Sequence, residues 1–120
     1  MSATPFEQIA HLDRLVHEPA RLAILVALSA CERADFLFLQ RITGLTKGNL
    51  SVHLSRLQEA GLVEIEKRFV GKKTQTMARL SGPGREAVKS YWREMAALRK
   101  SAAQWRPATA ATRATLAPAG

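Results

Sequence analysis

Residues 46–69 read TKGNLSVHLSRLQEAGLVEIEKRF, and the apolar period within them changes at Gly61 from helical to alternating. Before the glycine, Leu50, Leu54 and Leu57 recur at helical spacing and define one buried stripe. After it, Val63, Ile65, Lys67 and Phe69 fall on one face of a strand, with Glu64, Glu66 and Arg68 on the other. Thr46 is placed to cap the helix by accepting from the backbone N–H of residue 48 or 49, and Gly61 is placed to stop it. A helix running directly into a half-buried strand is the segment around which the rest of the chain has to fold.

Upstream lies a second helical string, FLFLQRIT (36–43), with Asp35 placed to cap it and Gly44 to end it in a left-handed conformation. Only Gly44, Leu45 and Thr46 separate it from the next helix, so the pair forms a candidate helix-turn-helix. Further upstream, PARLAILVALSAC (19–31) starts on a proline, which the first turn of a helix tolerates, and is apolar nearly all round. That pattern predicts a central core helix. Phe6, Ile9, Leu12 and Val16, at three- and four-residue steps, predict an amphipathic first helix reaching His17.

Downstream, VGKKTQ (70–75) puts a glycine and two lysines between two alternating segments, the second with Thr76, Ala78 and Leu80 on one face. This is a hairpin with a basic tip. Ser81 is placed to cap a last helix with Pro83 in its first turn, along which Ala87, Val88, Tyr91, Trp92, Met95, Leu98 and Ala102 recur at helical spacing. From Arg106 the chain is Ala/Thr/Pro-rich with little to bury, which predicts a flexible tail over 106–120.

With 120 residues, 47% of them hydrophobic, the chain suffices for one compact domain and leaves no room for a separate catalytic one. No run approaches the ~18–20 consecutive apolar residues of a membrane span. MSATPFEQ lacks the basic-then-apolar order of a secretory signal, so the expected location is cytoplasmic, with no membrane partner. The single cysteine, Cys31, cannot form an internal disulfide and reads as a packing residue.

A net charge of +8 favours a polyanionic partner. Its distribution is uneven: −1 over residues 1–43, +4 over 44–80 and +5 over 81–120. His11, His17 and His53 fall on separate expected elements, and no HExxH, CxxC or paired-carboxylate spacing occurs. No metal site, cofactor or catalytic residue is therefore expected.

The order of elements and three strings resemble the winged-helix regulators of the MarR and ArsR superfamily: EPARLAILVAL (18–28), LSVHLSRLQEAGLVE (50–64) and RLSGPGREAV (79–88). The resemblance covers roughly residues 18–88 and implies a mainly α fold with a small β-hairpin wing, an α+β winged helix-turn-helix. It divides the chain into a dimerisation helix (1–17), a DNA-binding domain (18–81), a second dimerisation helix (82–105) and the tail. The Cys-x-Cys and the Asp/His/Glu sets of metal-sensing relatives are missing here, and no residue points to an organic effector.

By rotation from the leucine stripe, Gly48, Asn49, Val52, Ser55 and Arg56 point outward, with Ser51 and His53 on the flanks and Thr46 and Lys47 at the helix start. These residues are expected to read the major groove through recognition helix 47–60. Lys47 and Arg56 suit phosphates or guanine, Asn49 suits adenine and Val52 a thymine methyl. Arg68, Lys72, Lys73, Thr74 and Gln75, within wing 67–75, are expected on the adjacent minor groove. Phe6, Ile9, Leu12, Val16, Val88, Tyr91, Trp92, Met95 and Leu98 are expected to form a two-fold homodimer interface, so that a pseudo-palindromic double-stranded operator is bound, as by a repressor. A protein-interaction or RNA-binding module is the competing reading. A dimerisation subunit of an enzyme is a weaker one, and the basic hairpin argues against it.

Overall fold

A computed structural model of the chain describes residues 3–107 and Pro118. Among them the elements run α1 (Pro5–Ala10), α2 (Pro19–Ser29), β1 (Ala34–Asp35), α3 (Phe36–Thr43), α4 (Lys47–Glu59), β2 (Val63–Val70), β3 (Lys73–Leu80) and α5 (Gly82–Gln104). The strands form one antiparallel sheet in the order β1-β3-β2. This is the winged-helix arrangement of helices and small sheet that the sequence predicts.

The local signals act as their chemistry dictates. Asp35 Oδ1 accepts from the Phe38 N–H at 2.7 Å, and Gly44 closes α3 at a φ of +70°. Thr46 Oγ1 accepts from the Asn49 N–H at 3.1 Å to start α4. α2 touches α3, α4 and β3, and its Ile24, Leu25 and Leu28 are completely buried. Leu39 of α3, Leu50 and Leu57 of α4, and Val63, Ala78 and Leu80 of the hairpin complete this core. Each such leucine contributes about 1.5–3 kcal/mol by leaving water.

Ser81 does more than cap. Its Oγ accepts from the Gly84 N–H at 3.0 Å and donates to the Gly61 carbonyl at 2.6 Å, tying the end of α4 to the start of α5. Gly84 has no alternative there, because a Cβ would run into the Leu62 carbonyl.

Three features differ from expectation. The first helix stops at Ala10 rather than His17. Just beyond it Asp13 captures the backbone in a turn, its Oδ1 accepting from the Leu15 N–H at 2.9 Å and its carbonyl from the His17 N–H at 2.8 Å. Strand β1 carries no periodic signal, since two residues are too few to show one. The alternating face of β2 is buried only at its base: Val63 is enclosed and Ile65 half-buried, while Lys67 and Phe69 are exposed because the hairpin outruns the core.

Among the described residues the chain divides into two compact units, residues 13–91 and residues 3–12 with 92–107. In the terminal unit Phe6 meets Trp105 edge to face, with ring centroids 5.2 Å apart. The tail expected over 106–120 lies mostly outside the described residues.

Candidate nucleic-acid interface

Burial of Leu50, Leu54 and Leu57 fixes the rotation of α4 about its axis. Thr46, Lys47, Gly48, Asn49, Ser51, Val52, Ser55 and Arg56 are consequently all exposed. Ser51, Val52, Ser55, Arg56 and Glu59 border a shallow depression on that face. Lys47 sits at the positive end of the helix dipole, where an anion is doubly favoured. His53 departs from the group. It is half-buried, with Nδ1 3.2 Å from the Arg21 guanidinium and 3.9 Å from the Glu18 carboxylate, so its ring turns toward the start of α2.

β2 and β3 pair in unbroken register from Val63↔Leu80 to Val70↔Lys73, leaving Gly71 and Lys72 as a two-residue turn. Gly71 has a φ of +65° and Lys72 does not have a positive one, the pattern of a type II′ turn that needs glycine first. Lys72, Lys73 and Thr74 are exposed around it. Arg68 is half-buried, with Nε enclosed and no hydrogen-bond partner there among the described residues. Gln75 is tied back to the α3 cap, its Nε2 donating to Asp35 Oδ2 at 3.4 Å.

Between α4 and the hairpin runs an open groove of about 650 Å³. Lys47, Ser51, Ser55 and Gln58 line its helix wall and Lys67, Thr74, Gln75 and Thr76 its sheet wall, with Asp35, Phe36 and Leu37 also bordering it and a floor that includes Leu54 and Ile65. Two lysines, hydroxyls and amides thus face one another across a cleft between two projecting elements. The one carboxylate, Asp35, already accepts from the Phe38 N–H and from Gln75 Nε2, and the lysines and remaining donors leave a net positive lining that suits a phosphodiester strand. Among the described residues no group of three or more His, Cys, Asp or Glu is gathered to hold a metal ion.

The family profile of the winged helix DNA-binding domain matches residues 20–99. The chain belongs to that family. An uncharacterized protein of Methanocaldococcus jannaschii is 33% identical over 88 residues, covering 73% of this chain and 96% of that one. A transcriptional regulator homologue of Pyrococcus horikoshii has a structure that superposes with a TM-score of 0.71 at 26% identity, covering 80% of this chain and 94% of the other. A MarR-family transcriptional regulator of Silicibacter pomeroyi superposes with a TM-score of 0.59 at 26% identity, over 82% of this chain and 63% of that one. The winged-helix chain is therefore MarR-like, in a family of transcription regulators and not of enzymes.

What the sequence reading missed in this winged helix is Arg21. Its Nε donates to the Leu15 carbonyl at 2.7 Å and one terminal nitrogen to the Arg14 carbonyl at 3.1 Å, while the other faces His53. Glu18 completes the cluster by accepting from the Arg21 N–H at 2.8 Å as the cap of α2. Helix α4 is thereby tied to α2 and to the turn before it. Burial works to raise the Glu18 pKa, but the backbone N–H groups of Arg21 and Ala20 and the charges of His53 and Arg21 outweigh it and hold the carboxyl below the usual glutamate range.

Of the expected dimer residues, Leu12, Val16, Val88, Tyr91 and Leu98 are buried within the single chain. Ile9 and Met95 are half-buried, and Phe6 and Trp92 are about half exposed, at 48% and 50%. His17 Nδ1 lies 2.8 Å from the Tyr91 hydroxyl, which accounts for part of that burial. No helix among the described residues is long and apolar enough to cross a membrane.

Proposed function

We propose that the chain is a sequence-specific repressor that binds double-stranded DNA as a homodimer, with helix 47–60 in the major groove and wing 67–75 on the adjacent minor groove. The observation that carries this reading is the groove between α4 and the hairpin, with Lys47 on one wall and Lys67 on the other. Adjacent DNA grooves are separated by one sugar-phosphate strand, so elements seated in both must straddle that strand. The lysines and hydroxyls of the cleft are the groups such a strand requires.

Sequence would then be read by Asn49, Ser51, Val52, Ser55 and Arg56, with Thr46, Lys47 and Gly48 close to the backbone. Lys72, Lys73 and Thr74 would hold phosphates beside the minor groove, with Arg68 and Gln75 behind them. His53, held by Arg21, contributes by orienting the helix. Exposed Phe6 and Trp92 supply apolar surface for a two-fold partner.

The test is alanine replacement of Asn49 and of Arg56, each followed by gel-shift titration of a preferred and a scrambled duplex. Each change is expected to reduce discrimination by about 1–3 kcal/mol, with an unchanged far-UV spectrum. Full discrimination in both variants would remove residues 47–56 from the reading surface. Equal competition by RNA or single strands would favour the alternative of an RNA-binding or interaction module.

A further inference from the structure

The hairpin tip carries a feature that phosphate binding leaves unused. Phe69 is 79% exposed and Val70 60%, at the end of a ribbon whose enclosed pair is Val63↔Leu80 and whose last half-buried pair is Arg68↔Gln75. Two residues beyond Arg68, at ~3.3 Å each, carry Val70 roughly 7 Å past the last half-buried pair. Four cations, Lys67, Arg68, Lys72 and Lys73, bracket these two apolar side chains.

The register fixes the direction of each. Phe69 lies opposite Thr74 and Lys67 opposite Thr76, so Phe69 shares the sheet face that borders the groove with α4 and stands one pair farther out. Val70, opposite Lys73, is on the other face. The tip is thus apolar on both sides and cationic around its rim.

We infer that Phe69 is a wedge that enters the minor groove and inserts at a base step, with Val70 against the deoxyribose of the groove wall. The inference rests on the duplex-DNA reading above and adds an element of shape recognition to it. Charge complementarity favours this partner. A minor groove offers phosphates at its rims and apolar sugar edges and base stacks within, the same cationic-outside, apolar-inside order that the tip presents. Apolar side chains that enter in this way part a base step and bend the duplex, and flexible pyrimidine–purine steps yield most readily. Phe69 therefore selects for deformability at a position flanking the bases read by α4.

The experiment uses the full chain and a duplex of about three helical turns, chosen by the protein from a randomised pool, with 2-aminopurine placed in turn at each step of the outer flanks. Wild type is expected to raise the fluorescence at one step per flank and to shorten the end-to-end distance seen by energy transfer. Phe69→Ala should abolish both signals and weaken binding roughly 5- to 150-fold, the range of aromatic–base stacking, without changing the salt slope. Phe69→Leu should restore part of the signal. Tight binding with no fluorescence change at any step, or with a change that survives in Phe69→Ala, overturns the wedge and leaves the DNA reading standing. Failure of wild type to select any duplex overturns both. A Phe69→Ala effect on sedimentation of the free protein, with unchanged DNA signals, would assign the tip to self-association instead and overturn the inference.

Discussion

Arg21 and Glu18 hold together parts of the molecule that leucine burial alone leaves loose. Removing the guanidinium strands the Leu15 and Arg14 carbonyls and frees His53, so Arg21→Ala should cost roughly 1.5–3 kcal/mol in denaturant unfolding. The Glu18 cap makes a pH prediction. Its folded pKa lies below the ordinary value, so its stabilisation is complete above the usual glutamate range and is lost as pH falls through the folded value. Thermal unfolding of wild type should therefore fall more steeply on acidification than that of Glu18→Gln; parallel curves would contradict the assignment. Local chemistry of this kind is only partly legible in a sequence. Asp35, Thr46 and Ser81 were readable as caps because the N–H each accepts from lies three residues on. Arg21 was not, since its partners lie from three to 32 positions away and only the folded chain brings them together.

At the scale of elements, the change of period at Gly61 fixed both α4 and β2, and with them the outward face of the helix. At the ends of the elements the apolar period runs on past the structure it specifies. The first helix gave way to the Asp13 turn, whose side chain competes for the backbone in a way that apolar spacing does not register. The β2 alternation continued to Phe69, where no core remains to bury it. The hairpin tip is the element whose role is most readily measured. Lys72→Ala with Lys73→Ala should weaken all duplexes alike and flatten the plot of log K against log salt by up to ~2 units, since each phosphate contact contributes about 0.9. An unchanged slope would take the wing out of the interface. At the junction of elements, Gly84→Ala should cost about 1–3 kcal/mol, because the start of α5 must move off the Leu62 carbonyl.

For the whole molecule, net charge and element order were legible, whereas the division of the terminal stripe between core and surface was not. Helical spacing alone gives Val88, Tyr91, Trp92, Met95 and Leu98 one character, but Val88, Tyr91 and Leu98 are buried in the single chain while Trp92 is half exposed. A cut after Ser81 would therefore remove core residues along with any interface. Phe6→Asp with Trp92→Asp tests the dimer more cleanly: light scattering should show a wild-type dimer at micromolar concentration and a folded, monomeric double variant. A monomeric wild type would end the dimer proposal. Whether a two-fold protein reads duplex DNA through α4 and its wing is decided by selection from a randomised duplex pool in the presence of RNA and single-stranded competitors. Enrichment of a pseudo-palindrome whose half-sites lie about one turn, ~10 bp, apart centre to centre is expected. A pool that stays random after repeated selection, or binding lost equally to the RNA competitor, would contradict it.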